Sequence, residues 1–75
     1  DAAAARALLQ RALQLQETSL GKEHTTVATT LMRLGYLEVQ GGNLSTAERH
    51  FERATRIRER ALGATHPDVA ASLLV

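Results

Sequence analysis

Three histidines, eight carboxylates and nine basic side chains carry the acid–base, ligand and charge chemistry of this 75-residue sequence. His24 and His66 lie 42 residues apart in matching surroundings. As a pair they would suggest metal binding; the plainer reading, adopted here, is a histidine that fixes the geometry of a loop by hydrogen bonding. His50 has no His, Cys or Asp three or four residues away, so it is not half of a helical ligand pair. Glu17 and Glu59 recur at the same 42-residue distance. That regularity speaks for structure, since a catalytic acid is needed once. The sequence holds no glycine-rich phosphate loop, no Ser-His-Asp set and no metal-ligand spacing. The expectation is therefore a non-enzymatic chain with no cofactor and no metal.

The densest charge lies between Glu48 and Arg60, with five arginines and three glutamates. A nucleic-acid surface is one reading. The other, favoured, is a solvated helix face with interleaved charges, such as Glu52 with Arg56 four residues on. Phe51 is the one aromatic in the run and is assigned to the core, which leaves no platform for stacking bases. No nucleic-acid partner is expected.

The elements that must position these groups follow from a recurrence. Leu20-Gly21-Lys22-Glu23-His24-Thr25-Thr26-Val27-Ala28 returns as Leu62-Gly63-Ala64-Thr65-His66-Pro67-Asp68-Val69-Ala70. Ala5, Arg11, Ala12, Glu17 and Leu31 likewise meet Ala47, Arg53, Ala54, Glu59 and Leu73. A fixed period of this size marks a solenoid array, in which about three units are wanted for stability. The second copy stops in mid-pattern at Val75, so the chain reads as a piece of a longer array.

Composition narrows the class further. The formal net charge of +1 points to no polyanionic partner. The chain has no cysteine, which excludes disulfides and thiol chemistry and fits a cytoplasmic protein. No apolar run approaches the roughly 20 residues of a membrane span, so no membrane partner is expected.

Residues 1–20 read as a helix capped by Asp1 and ended by Gly21, with Ala5, Leu8, Leu9, Ala12, Leu15 and Leu20 as its apolar stripe. Residues 25–40 read as a second helix. Its rows are Val27, Leu31, Leu34 and Ala28, Leu31, Gly35, and the mid-helix glycine implies a close neighbour. Gly41-Gly42-Asn43 breaks the chain and forces antiparallel neighbours. Residues 44–61 read as a third helix with Asn43 as N-cap and Leu44, Ala47, Phe51, Ala54, Ile57 and Ala61 buried. After Gly63, Pro67 and Asp68 open a fourth helix continued by Ala70, Leu73 and Leu74.

Leu34-Gly35, Gly42, Leu44, Ala47, Phe51 and Ala54, at these spacings, resemble the tetratricopeptide repeat. The 42-residue period and the Leu-Gly-x-x-His-x-x-Val-Ala loop are similar to the longer subtype found in kinesin light chains and many bacterial signalling proteins. The resemblance implies an all-α fold of antiparallel helix-turn-helix repeats in a right-handed α-solenoid. Residues 1–20 would be the second helix of a preceding repeat, 25–61 one complete repeat, and 67–75 the truncated first helix of the next. It also implies a concave face, lined by the first helix of each repeat, that binds a protein or peptide partner. On this chain the positions opposite the buried rows are Thr29, Met32, Arg33, Tyr36, Val39 and Gln40. Kinesin-light-chain-like repeats often read Leu-Asn-Asn-Leu-Ala where this chain reads Leu31-Met32-Arg33-Leu34-Gly35, and Glu38 stands where the general repeat usually has an aromatic. Met32 and Tyr36 share one face, which either meets a partner or packs on a neighbouring repeat. Two alternatives accompany the binding-module reading. One is self-association through the terminal helices, which carry Leu8, Leu9, Leu73 and Leu74. The other is a regulatory array attached to an enzyme or nucleotide-switch domain.

Overall fold

The computed structural model describes residues 1–62 as three α-helices: α1 (Ala2–Leu20), α2 (Thr25–Gln40) and α3 (Leu44–Leu62). Gly63, His66, Pro67, Asp68 and the expected helix over 67–75 lie outside the described residues. The observed boundaries match the sequence reading to within one residue.

The helix ends have local causes. Asp1 accepts a hydrogen bond from the Ala3 N–H at 3.0 Å and so caps α1. Gly21 ends it with φ +96°, a backbone state that a Cβ disfavours, while its N–H bonds to the Glu17 carbonyl. At the start of α2 the cap is His24, whose Nδ1 accepts from the Thr26 N–H at 3.0 Å. The loop-fixing role expected of this histidine is thus the one it plays. Asn43 stands at the N-cap position of α3, its carbonyl accepting from Ala47 N–H at 3.0 Å, and its own N–H reaches back to the Glu38 carbonyl.

Helix α2 lies between the other two and supplies most of the core. Val27, Ala28, Leu31, Leu34 and Gly35 are buried on it, facing Ala47, Ala54 and Ile57 of α3. Leu13 of α1 and Met32 pack against this cluster. Fully burying each of Val27, Leu31, Leu34 and Ile57 contributes about 1.5–3 kcal/mol. At Gly35 the Phe51 side chain of α3 lies against the backbone of α2. A Cβ there would fall inside contact distance of the Cε1, Cζ and Cδ1 atoms of the Phe51 ring.

Two expected faces need correction. On α1, Leu8 and Leu15 are 70% and 60% exposed, and Leu20 is exposed as well. No α1 residue is fully buried. Ala5, Leu9 and Ala12 of the expected stripe are half-buried, together with Arg6, Leu13, Gln16 and Glu17. Arg6 and Gln16 make polar pairs with α2, described below, which hydrophobic periodicity cannot see. On α3, Leu44 and Ala61 are exposed because they lie at the helix ends, and Phe51 is half-buried because it lies across the edge of α2.

Two stability measurements test these local causes. Gly35→Ala should lower stability by about 1–3 kcal/mol, since displacement of the Phe51 ring outweighs the gain in helix propensity. A urea midpoint equal to or above that of the parent chain would contradict the close approach. His24→Ala should cost about 1 kcal/mol and His24→Asn much less, because asparagine keeps a capping acceptor; equal losses in thermal melts would argue against the cap.

Candidate functional site

The residues of α2 that are not needed for the core form one outward row. Thr29, Arg33, Tyr36 and Gln40 follow one another at steps of four, three and four residues, and all are exposed. Val39, 43% exposed, flanks the row. Met32 is the exception among the expected positions, since its side chain is half-buried against the core cluster. Five of the six expected positions are therefore exposed, and the sixth is half-buried against the core.

Tyr36 is 58% exposed, yet its ring is held edge-on against Phe51 with centroids 5.4 Å apart at 65°. Such a pair gains about 0.5–1.5 kcal/mol beyond area burial. The contact leaves more than half of Tyr36 open to solvent. One turn earlier, Arg33 makes no ion pair among the described residues. An anchored aromatic beside an uncompensated guanidinium can receive a carboxylate next to an apolar group.

The helix-to-helix polar pairs were not legible in the sequence. Arg6 of α1 pairs with Glu38 of α2 at 2.7 Å, with the Glu38 carboxylate almost wholly buried. Gln16 of α1 accepts at 2.6 Å from the hydroxyl of Thr30, which is also buried. Arg53 of α3 pairs with Glu17 of α1, and Arg60 of α3 with Glu23 in the first loop. The arginines of α3 thus take partners from other segments; the expected Glu52–Arg56 pair along the helix is not formed. A cavity of about 250 Å³ lies among these groups, lined by Glu23, Arg53, Arg56, Ile57 and Arg60. Glutamates neutralise two of its three arginines.

Among the described residues no three His, Cys, Asp or Glu side chains converge as a metal site would need, and His66 lies outside them. No helix among them is long and apolar enough to cross a membrane. His50 is half-buried on α3, and burial lowers its pKa below the usual 6.5. Glu38 opposes this, while Arg49 and Arg53 reinforce it.

A helix–turn–helix repeat, with a buried seam on one side of the central helix and an open row on the other, is the class these features define. The tetratricopeptide-repeat family profile matches residues 1–60 and again 26–75. The chain belongs to the tetratricopeptide repeat family, whose members generally serve as protein–protein interaction modules. Searches of curated proteins and of solved structures give no match.

The lowered His50 value fixes a sign for pH dependence. In the folded chain the neutral imidazole is favoured, so the associated stability is present above about pH 6.5 and is lost as pH falls through the lower folded value. His50→Gln should flatten that part of the stability profile between about pH 7.5 and about pH 5, measured as urea midpoints. A profile as steep as that of the parent chain would assign the loss to other groups.

Proposed function

We propose that the chain is a non-catalytic protein-interaction module, and that the open row of α2 receives a segment of a partner protein. Arg33 and Tyr36 are the residues that carry this reading. Arg33 is an exposed cation without a carboxylate partner among the described residues, beside an aromatic already ordered by Phe51. Ordering before binding reduces the entropy lost on association. The segment best suited to the face has an acidic residue near an apolar one, in extended or helical form. Thr29, Gln40 and Val39 border it, and Met32 supports it from below. A face one helix wide supplies only part of a standard interface, so binding through a single unit is weak and gains from repetition.

Residues 25–61 then form one complete repeat and 1–20 the second helix of the preceding one, with 67–75 opening the next. The 42-residue recurrence and the capping histidine support the kinesin-light-chain-like subtype. The lack of cysteine fits a reducing compartment such as the cytoplasm. A second reading, self-association by repeat stacking, is favoured by the exposed Leu8 and Leu15 of α1.

An array of short synthetic peptides that varies acidic and apolar positions would test the face. Arg33→Glu combined with Tyr36→Ala should weaken the selected peptides by about 30-fold or more while far-UV circular dichroism stays unchanged. Unaltered affinity in the double variant would remove the row from consideration.

A further inference from the structure

Three arginines of α3 face the loop between α1 and α2. Arg53, Arg56 and Arg60 follow one another at steps of three and four residues, so they share one side of the helix. Ile57, among them, is buried in the core with Val27 and Leu31, which turns that side toward the start of α2. Arg53 pairs with Glu17 of α1, and its Nη2 also lies 3.5 Å from the Lys22 carbonyl oxygen. Arg60 pairs with Glu23. With Glu23 and Ile57 the three arginines line one cavity of about 250 Å³. Its walls are thus the first loop and the inward side of α3.

Like charges at such steps along one helix side repel. Two of the three are answered by carboxylates from other segments. Arg56 is exposed and makes no ion pair among the described residues, although Glu52 stands four residues before it and Glu59 three after. The two existing pairs differ in how firmly they are held. The side chains of Arg53 and Glu17 are 31% and 20% exposed, those of Arg60 and Glu23 72% and 53%. An ion pair as open as the second contributes little, so another anion can replace its carboxylate. The cavity therefore offers one guanidinium without an anion, a second whose carboxylate can leave, and a third fixed in place.

We propose that this cavity binds a phosphate group, held by Arg56 and Arg60 with Glu23 displaced. Guanidinium forks match phosphate and carboxylate alike. Charge and acceptor number decide between them. A phosphate ester brings three acceptor oxygens and about two negative charges at neutral pH, enough to serve both guanidinia at once. A carboxylate brings a single charge and is what Glu23 already supplies. The volume is below that of ordinary small-molecule sites, so it suits the phosphate ion or the phosphorylated end of a small molecule, not a whole nucleotide. The site shares no residue with the open row of α2, and failure of either assignment leaves the other standing.

The test is a titration of the 75-residue chain with inorganic phosphate at fixed ionic strength, followed through the arginine Nε–Hε resonances in nuclear magnetic resonance spectra. Those of Arg56 and Arg60 should shift together and saturate with one dissociation constant, on the order of 1 mM, while those of Arg11 and Arg58 stay still. Arg56→Gln should weaken binding by about tenfold. Glu23→Gln should strengthen it by about threefold, because the competing carboxylate is gone. Both changes fall on exposed side chains, and circular dichroism checks that the variants keep their helices. Acetate should bind about tenfold more weakly than phosphate. Glycerol phosphate separates the two sources: affinity no higher than that of phosphate assigns the site to the free ion, and tighter binding assigns it to a phosphate ester. Shifts that never saturate or that spread evenly over all arginines would overturn the proposal. So would an Arg56→Gln chain that binds as the parent does, a Glu23→Gln chain that gains nothing, or acetate binding as tightly as phosphate.

Discussion

Helix α2 has to satisfy two neighbours at once, and the packing of the described residues depends on how it does so. Toward α3 it presents small and branched residues, with Gly35 reduced to backbone where the Phe51 ring lies across it. Toward α1 it presents Thr30 and Glu38, polar groups that tolerate burial because Gln16 and Arg6 meet them. The two interfaces differ in kind. One is apolar and set by volume. The other is held by directional bonds with a modest apolar contribution from Leu9 and Leu13.

This difference explains the orientation of α1. A carboxylate buried at Glu38 cannot be left without its arginine, because an unpaired buried charge costs far more than the loss of one leucine contact. Arg6 and Gln16 therefore tie one side of α1 to α2, Glu17 ties it to α3 through Arg53, and Leu8 and Leu15 remain at the surface. Glu38, where the general repeat usually carries an aromatic, exchanges bulk for a requirement that the neighbouring helix arrive in one register.

Much of the architecture was readable before any coordinates, because it rests on local rules. Gly21, the Gly41-Gly42-Asn43 break and the three- and four-residue apolar steps act within a few residues, and they placed the helices to within one position. The role of His24 was legible because it too is local: the acceptor and the donor it serves are two residues apart. The ion pairs were not, because Arg6 and Glu38, or Glu17 and Arg53, are separated by more than thirty residues of sequence. Periodicity reports that a face is apolar without reporting which part of it is covered. The outward row on α2 could be read by subtraction from the buried rows. The half-burial of Met32 could not, because its long side chain reaches back toward the core.

Tyr36 is the sole tyrosine of a chain without tryptophan. Its ring touches Phe51, and Phe51 lies against Gly35, so a single chromophore sits between the solvent-facing row and the seam joining α2 to α3. The intrinsic ultraviolet fluorescence of the molecule therefore originates almost entirely from that point. A change in its emission registers either an occupant arriving from outside or a loosening of the two helices beneath, and the chain carries its own optical gauge without added dye.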